Sequence, residues 1–147
     1  MQPFVARQWA LLKTLTAPRL IGWAVHPGKI EDLAKKLHEE GIATLGPFPG
    51  SRARPDGRVL NWKALNLADD KNGLLPFFIE WAADSVHPSA DAPAGCRLER
   101  FIAVDLDPGE LSRVFQRLGI EMTVARGERS ELRARLATPK GAFELSS

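Results

Sequence analysis

One cysteine, no long apolar run and no real excess of either charge are the clearest shortages in this 147-residue sequence. A single thiol, Cys96, excludes an internal disulfide framework. It lies between a linker glycine and a candidate strand with no histidine nearby in sequence, and reads as an inert thiol rather than a nucleophile. The longest apolar stretches, Leu74 to Ile79 and Arg97 to Val104 with charges inside it, are far too short to cross a bilayer, so no membrane partner is expected. The N-terminal MQPFVARQWALLKTL has a basic residue at Arg7 but no long apolar core followed by a small-residue cleavage site, and a cytoplasmic location is the expectation. Twenty Lys and Arg against eighteen Asp and Glu leave a net charge of +2, without the broad basic field that dominates nucleic-acid binding. No GxSxG, HExxH, CxxC, Walker A or GxGxxG pattern occurs.

What is present is enough apolar material, 44% of residues against 26% charged, for one globular domain with a core, over residues 1–147. The chain also repeats itself. RLIGWAVHPGKIEDLAKKLHEEGI, starting at Arg19, and RLERFIAVDLDPGELSRVFQRLGI, starting at Arg97, both run apolar strand, Pro-Gly, helix, Gly-Ile. Ile30, Leu33, Ala34 and Leu37 in the first copy, and Leu111, Val114, Phe115 and Leu118 in the second, form single apolar stripes at helical spacing. Gly41 and Gly119 close those helices. Three strands follow each helix: Ala43 to Phe48, Val59 to Asn66 and Leu75 to Trp81, then Glu121 to Ala125, Glu131 to Ala137 and Ala142 to Ser146. The pattern predicts an α+β fold of two equivalent βαβββ modules, 19–83 and 97–147. They are joined by a Pro/Ala/Ser/Asp-rich linker, 84–96, and preceded by an N-terminal helical segment, 1–18.

The paired βαβββ modules, together with PRLIGW from Pro18, GSRARPDG from Gly50 with Trp62, and LLPFFIEW from Leu74, resemble the glyoxalase-like domain proteins of the vicinal oxygen chelate superfamily. The resemblance implies a cup-shaped mixed sheet with helices on its convex side and a small-molecule cavity between the modules. Metal-dependent members place a ligand, commonly His, on the first strand of each module and a carboxylate on the last. Glu80 and Glu144 match the carboxylates and are the candidate catalytic residues, while Leu20 and Arg100 stand where histidines would be expected. His26, His38 and His87 fall at a strand end, on a helix face and in the linker. Two carboxylates alone suit a first-row divalent metal poorly, so no metal or other cofactor is expected. Strand alternation predicts Phe77, Ile79 and Trp81 toward the helix and Glu80 toward the cup, with Glu144 placed likewise against Phe143 and Leu145.

The arginine-rich stretch from Ser51 to Arg58 closes a hairpin through a Pro55-Asp56-Gly57 turn. It carries Arg52 and Arg54 near its tip, and its second strand is expected to turn Trp62 under the helix and Asn61 and Lys63 toward the cup. Three readings stand open: a solvated hairpin, an anion-binding wall, or a nucleic-acid contact, against which the near-neutral total charge argues. Arg100 likewise either neutralises the cavity without metal or forms a structural ion pair. With Phe78 added from the strand of Glu80, the candidate ligand-binding set is Arg100, Arg52, Arg54, Asn61, Lys63 and Phe78. The function expected is binding of a small organic anion. A lyase or isomerase, or a metal-dependent enzyme, using Glu80 and Glu144 is the alternative. Phe4, Trp9, Leu12 and Leu15 have no counterpart in the second copy and point to a homodimer interface.

Overall fold

A computed structural model describes residues 10–147. The chain is α+β, with two four-stranded mixed sheets, and it divides into two compact units. The first is Trp23–Pro93; the second joins residues 10–22 to Ala94–Ser147. Residues 10–12 are helical, and the rest of the expected N-terminal segment, with Phe4 and Trp9, lies outside the described residues. No helix among the described residues is long and apolar enough to cross a membrane.

In the first unit the elements are β1 (Ala24–Val25), α1 (Ile30–Glu39), β2 (Thr44–Ala53), β3 (Val59–Leu67) and β4 (Phe77–Trp81). Their order across the sheet is β1-β4-β3-β2, with β1 parallel to β4 and the other pairs antiparallel. The apolar stripe of α1 buries Ile30 and Leu37 completely, and Leu65 and Phe78, opposite one another on β3 and β4, are equally buried. Each such side chain contributes on the order of 1.5–3 kcal/mol by leaving water. The first strand is shorter than the sequence predicts. Leu20 lies outside it, and its N–H donates to the Ser146 carbonyl of the second unit's last strand.

Two expectations about strand facing are corrected by this packing. The Glu80 carboxylate accepts the Ile30 N–H at 2.7 Å, so Glu80 lies on the helix-covered face rather than the opposite one. Lys63, its cross-strand neighbour, pairs with Glu31 in the first turn of the same helix. Phe78 shares that face as a core side chain, and Phe77, Trp62, Ile79 and Trp81 occupy the other. The reason is local. The residue before α1, Lys29, has no side-chain acceptor for the helix's free N–H groups, and Glu80 supplies one from across the fold.

The second unit contains β5 (Arg97–Asp105), α2 (Pro108–Arg117), β6 (Thr123–Arg126), β7 (Glu131–Thr138) and β8 (Gly141–Ser146). Here the order is β6-β5-β7-β8, so the first strand is central rather than at an edge. Ile102, Ala103 and Val104 are all buried, as a strand covered on both faces requires. The helix begins with its own cap: Asp107 accepts the Glu110 N–H at 3.0 Å, and Pro108 occupies the first helical position. Gly127 sits so close to Val104 that a Cβ there would come within 2.2 Å of its Cγ1.

Candidate functional site

The residues singled out from the sequence separate into three places. Glu80, Lys63 and Phe78 belong to the helix-covered face of the first unit, as described above. Asn61 is tied at its backbone: its N–H donates to the Ser85 hydroxyl at 2.8 Å, and its carbonyl accepts the Ala82 N–H. Lys63 and Glu31 reinforce one another, each being the main cause of the other's shift, with the Glu31 carboxyl held below its usual range and the Lys63 ammonium raised. These are structural commitments of α1 and the strands beneath it.

The arginine hairpin is a second place. Arg54 Nη2 lies 2.7 Å from Asp91, and Arg58 Nη2 lies 2.7 Å from Asp56 and 2.9 Å from Asp91. Asp91 comes from the stretch read as a free linker, so the turn and that stretch are clasped together. Arg54 holds the Asp91 carboxyl below its usual value, and Arg58 does the same for Asp56. Arg54 and Arg58 thus already have their anions. Arg52 is exposed and sits across from Leu60, on the face that carries Trp62. On that face the Trp62 and Trp81 rings are 5.5 Å apart and tilted, with His87 edge-on to Trp81 at 5.7 Å. Gly50 is required beside them, because a Cβ there would fall 2.5 Å from the Trp62 indole.

The third place is a cavity of about 330 Å³ in the second unit. The strand register builds it from sequence: Arg100 on β5 faces Arg135 on β7, and Arg135 faces Glu144 on β8. Period-two alternation then adds Arg133 and Glu131 along the same face of β7. Arg135 donates from Nη1 to Glu144 at 2.9 Å and from Nε to Glu99 at 3.2 Å, and Glu144 is the main cause of its raised pKa. Glu131, only 4% exposed, accepts from Arg133 Nε at 2.6 Å and from Arg129 Nη2 at 2.7 Å. Burial alone would raise the Glu131 carboxyl; the two guanidiniums, Arg133 foremost, outweigh it and hold the carboxyl below its ordinary value. Within its unit Arg100 has no carboxylate partner among the described residues.

Chemically, this is a small polar recess lined by four guanidiniums, Arg100, Arg129, Arg133 and Arg135, and two carboxylates, Glu131 and Glu144. Of the charged residues gathered here, Arg100 and Glu144 were singled out in the sequence; Glu99, Arg129, Glu131, Arg133 and Arg135 were not. The signal available for them was the alternation Glu131, Arg133, Arg135, a charged face on a strand whose other face is Leu132 and Ala134. Arg100 does not pair with Glu144, since Arg135 stands between them on the middle strand.

A metal of the kind the superfamily uses finds no fitting donor set in these residues. Among the described residues no group of three His, Cys, Asp or Glu side chains is gathered for an ion. Glu80 is held by the α1 N-terminus and Glu144 by Arg135, and His26, just after β1, and His38, on α1, are exposed.

The glyoxalase-like domain family model matches residues 2–119. No curated protein is matched. A crystal structure of a hypothetical protein from Staphylococcus aureus is similar in fold, with a TM-score of 0.58 at 16% identity. The match covers 75% of this chain and 53% of that one, so the chain spans about half the length of that structure.

Proposed function

The chain belongs to the glyoxalase-like domain family, and from that premise we propose that it binds a small organic anion in the arginine-lined cavity of its second unit. The observation that carries this reading is Arg100. It stands directly across from Arg135 on the neighbouring strand, and like charges in that position repel unless an anion lies between them. Arg135 is already compensated by Glu144 and Glu99, whereas Arg100 has no carboxylate partner among the described residues. A carboxylate placed against Arg100 would relieve the repulsion and gain a charge-assisted hydrogen bond. At about 330 Å³ the recess lies at the small end of the range typical of ligand pockets.

The reading calls on no metal, because the carboxylates available are committed to a helix end and to an arginine. Glu144 acts in it as a partner of Arg135 rather than as a general base. Assembly as a homodimer is part of the same proposal; Leu98 and Phe143, both exposed and each cross-strand from Leu136, supply apolar surface for it.

Thermal unfolding in the presence of small carboxylates tests the binding claim. A ligand that binds only the native state raises the melting temperature with concentration. Stabilisation by carboxylates that disappears in Arg100→Ala and survives in Arg52→Ala is the expected result. No stabilisation of the wild type by any anion would contradict the reading.

A further inference from the structure

Glu144 stands on β8, an edge strand, with its side chain 66% exposed, and one of its oxygens is engaged by Arg135 at 2.9 Å. The second anchor on Arg135 is Glu99, at 3.2 Å on the other side. Arg135 therefore has its guanidinium claimed by two carboxylates of the chain itself. Arg129 and Arg133 divide the two oxygens of Glu131 between them. Arg100 is left as the guanidinium in the cavity without a carboxylate from its own unit among the described residues.

Resting on the reading of this cavity as an anion site, we propose that Glu144 is its specificity-determining residue. By holding Arg135, Glu144 restricts the seat beside Arg100 to ligands carrying a single carboxylate and disfavours dicarboxylates and phosphate. The physical cause is the row itself. Arg100 and Arg135 are opposed residues on adjacent strands, with Cα atoms about 4.5–5.5 Å apart as in any such pair, so their guanidiniums together would suit a ligand with two negative charges. Glu144 fills the place that the second charge would take. An additional anionic group entering there meets a carboxylate instead of a free guanidinium, and like-charge juxtaposition is what rejects a wrong ligand.

The test uses the full chain and simple probes: benzoate as the single carboxylate, and malonate and inorganic phosphate as the doubly charged ligands. Binding is measured by calorimetric titration at low salt for wild type, Glu144→Gln, Glu144→Asp and Arg100→Ala. Glu144 is exposed and at a sheet edge, so Glu144→Gln is expected to fold, which circular dichroism verifies. The wild type should prefer benzoate. In Glu144→Gln the malonate-to-benzoate affinity ratio should rise by about two- to fivefold, the size expected for one partly exposed charge, while Glu144→Asp keeps the wild-type ratio. Benzoate binding that depends on Arg100, with a ratio unchanged in Glu144→Gln, overturns the role of Glu144 and leaves the anion site standing. Absence of binding by all three probes to every variant overturns both.

Discussion

The two units use the same succession of strand, helix and three strands, and they assemble it differently. In the first, β1 pairs over only Ala24 and Val25 and lies at an edge beside β4. In the second, β5 runs for nine residues and lies at the centre, between β6 and β7. The helix ends differ in the same sense, since α1 takes its cap from Glu80, fifty residues away, whereas α2 carries Asp107 just before it. A repeat in sequence therefore specifies elements and not their neighbours. The two-residue first strand lies at an edge and the nine-residue one at the centre, and different charged residues are brought together in each unit. In the first unit the meeting charges, Lys63 with Glu31 and Glu80 with the helix N-terminus, hold α1 down. In the second they are concentrated on the sheet, where Arg100 has no carboxylate partner among the described residues.

The comparison is broken hardest by emptying each core in turn. Phe78→Ala and Phe115→Ala, both nearly fully buried, should each cost about 3–5 kcal/mol. Amide exchange, followed residue by residue, reports on each unit separately. Equal loss of protection from Phe78→Ala and from a surface control such as Lys35→Ala would refute the packing described here.

Next in size is Glu131. Replacing it by Gln removes charged hydrogen bonds to two arginines and should cost about 1–3 kcal/mol, read by denaturant unfolding. Its carboxyl has a lower pKa folded than unfolded, so the stability it provides is complete above the unfolded value near 4.3. That stability is lost as pH falls through the folded value. Wild type should therefore lose stability on acidification below about pH 4 more steeply than Glu131→Gln.

The two caps give a smaller and sharper contrast. Asp107→Ala should cost about 1 kcal/mol, the usual value for a local cap. Glu80→Ala should cost at least as much, about 1–2 kcal/mol, because it also removes a carboxylate from the positive end of α1. A Glu80→Ala variant with unchanged stability but lost ligand binding would return Glu80 to the role the sequence first gave it. The smallest effect belongs to the hairpin: Asp91→Asn removes one carboxylate from Arg54 and Arg58 but leaves Arg58 on Asp56, so denaturant unfolding should change less than for either cap.

Much of this was legible in the residues. Ile30, Leu33, Ala34 and Leu37 and their counterparts Leu111, Val114, Phe115 and Leu118 marked both helices, and the turn at Pro55 to Gly57 and the β7-β8 hairpin fell where the turn residues put them. Strand order was not legible, because local apolar pattern cannot say which distant strand pairs with which. Facing failed on β3 and β4 for a related reason. Alternation separates Trp62 from Lys63 and Trp81 from Glu80, but it does not say which set lies under the helix, and hydrophobicity favoured the tryptophans. The decisive fact was tertiary: Leu65 and Phe78 already fill the space under α1, and Lys63 and Glu80 reach its polar N-terminal end. Arg100 and Glu144 were marked by alignment to a fold pattern, while the arginines around them came together only once β5, β7 and β8 were side by side.

The most direct measurement is a titration of the isotope-labelled protein with benzoate, followed by backbone amide chemical shifts, because the chain has two arginine clusters and the account assigns the anion to one. Shifts should concentrate at Arg100, Arg133, Arg135, Glu144 and Ser146 and saturate with concentration, with the hairpin from Ser51 to Arg58 left in place. Saturable shifts confined to the hairpin, or none anywhere, would contradict the assignment of the cavity.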